Sequence, residues 1–305
     1  VPGTTEGIVR KNLEASGKKP GIDFGLCMNP EFLREGHALE DFLKPDRIVI
    51  GSMDKMAGDA VEKLYKDFKA PILRCEIKTA EMIKYASNGF LATKITFANE
   101  IGNICKLMGI DVYKVMEGVG LDTRIGPKFL RAGCGFGGSC FPKDIQAIVE
   151  KSRLAGYEPL LLKTVLDVNS EQRKLMVKQL KNKMGIKGRR IAILGLAFNP
   201  ETDDVRESAA IDSVKELLEG GAKVVAYDPK AMGNFRNIFP GIEYAKDAKS
   251  ALGGADACLI MTDWDEFKGL EAKDFDVMNS KVIIEGRRTL DPKKMNGIEF
   301  EGVCW

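Results

Sequence analysis

Gly188-Arg189-Arg190-Ile191-Ala192-Ile193-Leu194-Gly195-Leu196-Ala197-Phe198 opens with charge, continues as an unbroken apolar run and ends on a glycine turn. Such a run reads as a strand covered on both faces, because a half-exposed strand would alternate apolar and polar residues. The pattern downstream predicts a helix over 209–218 and further strands over 223–227, 256–261 and 281–284. The strand at 223–227 ends in Asp228-Pro229, and the last closes on Glu285-Gly286-Arg287-Arg288. Strands alternating with helices build a parallel sheet, so 185–305 is expected to form a Rossmann-like lobe. The turn 195–198, followed by Asp203-Asp204-Val205-Arg206-Glu207-Ser208 before a helix, fits a phosphate-facing strand-to-helix turn, although it lacks the full GxGxxG spacing. Arg206, Arg287 and Arg288 at strand ends would suit a diphosphate.

Upstream, 77–184 is predominantly helical. Met82, Ile83, Ala86, Phe90, Ile95, Phe97, Ile101, Ile104 and Leu107 recur at three-to-four spacing, which predicts one long helix over 79–108. A second helical block is expected over 142–184. Long helices of this kind between α/β lobes pack on each other and on a second copy of the chain, so a dimer core is expected there. Residues 1–76 read as the tail of a parallel α/β sheet: a capped helix from Thr5, apolar 24–27, a strand at 47–50, a helix over 54–68 and a strand at 72–75.

The most distinctive stretch for chemistry is Gly133-Cys134-Gly135-Phe136-Gly137-Gly138-Ser139-Cys140-Phe141-Pro142-Lys143-Asp144. Pro142 suits a first helical turn, where its missing N–H costs nothing, so Cys140 is expected beside the unpaired amides and positive dipole end of a helix. That position favours a thiolate and so a nucleophile. The density of glycine signals close approach of the backbone to another group. Lys84 and Asn88, four apart on the long helix, share a face and could hold an oxyanion. Glu31 and Glu35 have the same spacing after Asn29-Pro30. Two neighbouring carboxylates push their pKa values apart, which would make one a general base.

Composition narrows the alternatives. Forty-six basic against 44 acidic side chains, a formal net charge of +2, give no broad field for nucleic acid or a membrane surface. The apolar runs are too short to span a bilayer, and the expected location is cytoplasmic. Seven scattered cysteines with no CxxC pair argue against a disulfide framework and against a zinc site, and no metal is expected. The single histidine, His37, leaves too little imidazole for a Ser-His-Asp or Cys-His hydrolase.

Val1-Pro2-Gly3-Thr4-Thr5-Glu6, Asn29-Pro30-Glu31-Phe32-Leu33-Arg34-Glu35-Gly36, Lys84-Tyr85-Ala86-Ser87-Asn88 and the 133–144 loop, in that order, resemble the UDP-glucose/GDP-mannose dehydrogenase family. The likeness covers essentially the whole chain. Leu121-Asp122-Thr123-Arg124-Ile125-Gly126 and Gly286-Arg287-Arg288 favour its UDP-glucose branch. The resemblance implies oxidation of a sugar C6 alcohol to a carboxylate by two hydride transfers to NAD⁺. Cys140 would be the nucleophile, Lys84 and Asn88 would stabilise charge on oxygen, Asp144 would position water and Glu31 would be the base of thioester hydrolysis. Phe32, Leu33, Glu35, Phe129, Arg131, Phe136, Gly137, Phe198 and Arg287 would line the UDP-sugar pocket, with Arg124 from a neighbouring subunit. Lys143 and Arg206 would face NAD.

Residues 1–76 would then be the C-terminal part of an NAD-binding Rossmann domain, 77–184 a central helical dimerisation domain carrying the cysteine loop, and 185–305 a UDP-sugar-binding lobe. The family's glycine fingerprint, ribose-binding acid and catalytic threonine are not in this sequence. The first domain is therefore expected to be a remnant and this form inactive by itself. Asn199 stands where the family carries lysine, which predicts weaker sugar-nucleotide affinity. A non-catalytic sugar-nucleotide-binding and dimerisation module, a dehydrogenase for another nucleotide sugar and a thioester-cleaving cysteine hydrolase are the alternatives.

Overall fold

The computed structural model describes residues 1–305 as two compact units, Val1–Phe90 with Asp144–Pro159, and Leu91–Lys143 with Leu160–Trp305. The first unit holds a three-stranded sheet, β1 (Cys27–Met28), β2 (Ile48–Ser52) and β3 (Ile72–Cys75), in that order. β2 and β3 are parallel, as expected from the helix Lys55–Leu64 that joins them, while β1 pairs antiparallel with β2. The all-parallel expectation for this segment is thus corrected: β1 is only two residues long, too short for its direction to be read from side-chain pattern. Asp54 caps the Lys55–Leu64 helix, its side chain accepting from Ala57 N at 2.7 Å.

The predicted long helix is Ile77–Met108, 32 residues with no proline inside it. Near its start the buried Glu81 carboxylate accepts the Thr5 amide at 2.8 Å, the Thr5 hydroxyl at 2.7 Å and the Gly3 amide, which fastens the first residues to the helix. The block expected over 142–184 is two helices, Phe141–Leu154 and Leu160–Lys183. Gly156, at φ +87°, and Pro159 account for the break, since each is unfavourable in a helix interior.

In the second unit β4 (Arg190–Leu194), β5 (Lys223–Tyr227), β6 (Glu243–Tyr244), β7 (Ala257–Ile260), β8 (Val282–Glu285) and β9 (Glu299–Gly302) are all parallel, in the order β6-β5-β4-β7-β8-β9. This is the doubly wound order that reverses direction at its first strand, β4. Ile191, Ala192, Ile193 and Leu194 are fully buried, as the apolar run required. Helix Ala209–Glu219, capped by Ser208, and the Met176, Val177 and Leu180 face of Leu160–Lys183 belong to the same core. In a sheet of this order ligands gather where the strands end beside the reversal, and here the ends of β4, β7 and β8 carry Gly195–Phe198, Met261–Trp264 and Glu285–Arg288.

Candidate active site

In the first unit the long helix presents Lys84 and Asn88 on one face. Lys84 Nζ lies 2.8 Å from Glu31 Oε1, and Asn88 Nδ2 donates to Asp144 Oδ2 at 2.7 Å. Asp144 is 4% exposed and Asn88 is also buried. These contacts unite residues far apart in the chain: two carboxylates, an ammonium and a carboxamide along one helical turn. The sequence-based pairing of Glu31 with Glu35 is corrected, because 29–34 is irregular chain rather than helix and the two do not share a helical face. Glu31 turns to Lys84 instead. Phe32 lies beneath the Arg47 guanidinium, 3.8 Å from the ring centroid, with Lys84 Nζ 5.7 Å away, and Arg47 also donates to Ser87 Oγ at 3.1 Å. Asn29 anchors this loop by donating to Val49 O and accepting from the Tyr65 hydroxyl. Arg47 and Tyr65 had no motif to announce them, and Ser87, although inside the Lys84–Asn88 stretch, was assigned no role. Leu33 and Glu35 lie on the same loop, Leu33 N donating to Glu31 Oε2 at 2.6 Å.

The second unit holds the cysteine loop. Cys140 is the exposed thiol among the seven, and it directly precedes helix Phe141–Leu154. Two of the buried thiols are held in their neutral form: burial pushes the Cys134 thiol upward, and Cys304 is pushed up to about 12 by the same cause. Phe136 and Phe129 meet the ring of Phe141 edge-on, with centroids 5.9 and 6.3 Å apart, so the residue after Cys140 is packed in an aromatic cluster. Phe129 adopts φ +65°, a conformation unfavourable for a bulky side chain.

The loop glycines do approach other groups closely, and these groups are the protein's own. A Cβ at Gly137 would overlap the Glu207 carbonyl oxygen, and one at Gly138, φ +81°, would stand 2.7 Å from the Phe198 ring. Gly138 N donates to Arg206 O at 2.9 Å. The loop therefore rests on the turn between β4 and helix Ala209–Glu219.

Asp228, at the end of β5, corrects the reading of the 195–198 turn as phosphate-facing. One oxygen of this fully buried carboxylate accepts from Leu196 N at 2.7 Å, Ala197 N at 3.1 Å and Trp264 Nε1 at 3.0 Å. The amides that would hold a phosphate are already satisfied by an internal anion. The cationic side chains remain. Arg287 donates to Met261 O and Phe198 O across the ends of β7 and β4, and Arg131 pairs with Asp263 at 2.8 Å. Arg206 is held by Asp204 at 2.8 Å, and Arg124 by Asp122 at 2.6 Å. Lys143 and the Arg206 head group are exposed.

Three successive family models match this chain. The UDP-glucose/GDP-mannose dehydrogenase NAD binding domain matches residues 1–69, the central domain 78–171 and the UDP binding domain 192–292. The match over 1–69 shows the NAD binding domain to be present rather than lacking, so the expectation of a remnant is not confirmed and the inactivity inferred from it has no support. NAD is the cofactor that goes with this domain.

The chain is 47% identical to UDP-glucose 6-dehydrogenase AglM of Haloferax volcanii over 99% of its length and 71% of the relative's. It is 46% identical to UDP-glucose 6-dehydrogenase TuaD of Bacillus subtilis over 98% of its length and 66% of the relative's. The structure of a UDP-glucose dehydrogenase from Pyrobaculum islandicum superposes with a TM-score of 0.92 at 44% identity, covering all of this chain and 68% of the other. No helix is long and apolar enough to cross a membrane. Continuous matches of this depth, together with the three successive domain models, make the chain a member of the UDP-glucose/GDP-mannose dehydrogenase family.

Proposed function

We propose that this protein oxidises UDP-glucose to UDP-glucuronate with two equivalents of NAD⁺. The observation that carries the reading is one helix, Phe141–Leu154. An exposed Cys140 stands before it, and the buried Asp144 of its first turn is bonded to Asn88, one turn from Lys84. Nucleophile, carboxylate and oxyanion donors are the groups this chemistry needs, and the UDP-glucose 6-dehydrogenase relatives point to the substrate.

Bound NAD⁺ supplies the hydride acceptor for each oxidation. In the first, the C6 hydroxyl loses its proton to water held by Asp144 as the hydride leaves C6, giving the aldehyde. The Cys140 thiolate then adds to C6. The new C–S bond pushes the carbonyl pair onto oxygen, where the Lys84 ammonium and the second N–H of Asn88 Nδ2 stabilise it. Loss of the second hydride from this oxyanionic thiohemiacetal restores the C=O bond as a thioester, with no further proton to release. Glu31 takes a proton from an attacking water, the C–S bond breaks, and Cys140 departs as thiolate from the carboxylate product. In all, alcohol, water and two NAD⁺ become carboxylate, two NADH and three protons. Phe32, Leu33, Glu35, Phe129, Arg131, Phe136, Gly137, Phe198 and Arg287 would hold the UDP-sugar, Arg124 of a second copy would join them, and Lys143 and Arg206 would face the cofactor. Residues 1–76, 77–184 and 185–305 are assigned to cofactor binding, dimerisation with the nucleophile, and UDP binding.

The test is stoichiometric. With UDP-glucose the protein should form two NADH per sugar consumed, and Cys140→Ala should form no uronate. Sugar binding without NADH would reveal a binding module. A uronate-forming Cys140→Ala protein would end the covalent mechanism.

A further inference from the structure

The 133–139 segment belongs to no helix or strand. While the Cys134 and Gly138 amides donate to backbone carbonyls, the backbone groups of Gly133 and Phe136 are satisfied by a set of side-chain carboxamides that no family motif pointed to. Asn169, on helix Leu160–Lys183 and 5% exposed, clasps Phe136 from both sides. It accepts from Phe136 N at 2.8 Å and donates to Phe136 O at 3.0 Å. Gln172, one turn on, donates to Gly133 O at 2.6 Å, and Asn99 of the long helix accepts from Gly133 N at 2.8 Å. Asn103 braces Gln172 at 2.8 Å. Gly135, at φ +90°, leaves room for the clasp, since a Cβ there would stand 2.8 Å from Asn169 Oδ1. Satisfying both the N–H and the C=O of one residue needs a side chain that is donor and acceptor at once, which a carboxamide is and a carboxylate is not.

We propose that Asn169 is a positioning residue for the cysteine-dependent half of the reaction, an inference that rests on the function proposed above. Its clasp sets the backbone of Phe136, whose ring meets the ring of Phe141, the residue that follows Cys140. Asn169 thereby fixes where the sulfur sits relative to a sugar that has already reached the aldehyde. The first hydride transfer does not use the sulfur. Thiohemiacetal formation does, and it depends steeply on the approach distance of the nucleophile.

Asn169→Asp keeps the volume and the acceptor for Phe136 N but sets a carboxylate oxygen against Phe136 O. In the folded variant, NADH per sugar consumed should drop from two toward one, and the aldehyde should be trapped as an oxime by hydroxylamine. The KM for UDP-glucose should change by less than about threefold. A second readout needs no turnover: UDP-glucose should shield wild-type Cys140 from maleimide by about tenfold or more, and the variant should lose most of that protection. A purely structural role would lower the melting temperature and leave two NADH per sugar. Where Asn169→Asp does not fold, Asn103→Ala withdraws the brace behind Gln172 together with a weak contact from the Cys304 thiol at 3.6 Å, and is read by the same two measurements. Two NADH per sugar and intact shielding in a folded variant would overturn the proposal. Absence of shielding in the wild type would instead strike the proposed function itself.

Discussion

Lys84 and Asn88 show what spacing alone conveys and where it stops. Their four-residue separation on a helix was readable in the sequence, but Glu31 and Asp144 reach them from 53 and 56 residues away, a pairing that only the fold or a family pattern supplies. The local argument for Glu31 and Glu35 failed because it assumed a helix in irregular chain. Two substitutions separate the roles of the helix residues. Asn88→Ala removes a donor from a buried carboxylate and should cost about 1–3 kcal/mol in urea unfolding. Lys84→Ala exchanges a mostly buried ammonium beside a half-exposed Glu31 for a small apolar group, so its main effect should be on catalysis. Its kcat should fall by about 100-fold or more with KM little changed, as for loss of a group that meets the oxygen only as it becomes charged. A kcat within a few-fold of wild type would remove Lys84 from the proposed oxyanion site.

At the scale of elements, the four strands of the second unit that carry apolar runs, β4, β5, β7 and β8, began and ended within a residue of those runs, because a strand buried on both faces has no choice of pattern. The edge strands β6 and β9, Glu-Tyr and Glu-Phe-Glu-Gly, have no such run and were not read. What the runs did not disclose was the use made of their polar ends. Asp228 fills the turn after β4 from within, and Glu285 does comparable work after β8. Glu285 is fully buried and accepts from Arg287 N at 2.7 Å, Thr289 N at 2.9 Å and Thr289 Oγ1 at 3.2 Å. Burial pushes its carboxyl up to about 7 from 4.5, against the opposing pull of those hydrogen bonds and of Arg131. With the folded value above the unfolded one, the folded protein keeps a proton that the unfolded chain releases. The associated stabilisation is complete below about pH 4.5, shrinks as pH rises and is gone above about 7. Compared with Glu285→Gln, which does not titrate, the wild type should therefore lose about 2–3 kcal/mol of relative stability between pH 5 and 8, measured by denaturant unfolding. A difference that stays constant with pH would show that Glu285 is charged throughout.

For the whole molecule, the long helix Ile77–Met108 poses the remaining question, since its period was plain in the sequence but its apolar residues are too many for one face. Phe90, Phe97 and Ile104 recur every seven residues and are 66%, 49% and 47% exposed, and Leu107 is 90% exposed. A heptad repeat drifts only about 20° per seven residues on an α-helix, so these side chains form one stripe. Apolar side chains of this size gain about 1.5–3 kcal/mol each when removed from water, and a second copy of the same helix offers a complementary, self-matching stripe. The proposed homodimer accordingly places Phe97 at its centre. Phe97→Glu would bring two like charges together there and should raise the dimer dissociation constant by about 100-fold or more, read by light scattering across a dilution series. Because Phe97 is half exposed in the single chain, the variant should keep its melting behaviour at dilutions where the wild type is also monomeric. A wild-type protein that stays monomeric at high micromolar concentration would rule the dimer out, and Arg124 of a second copy would then have no part in the site.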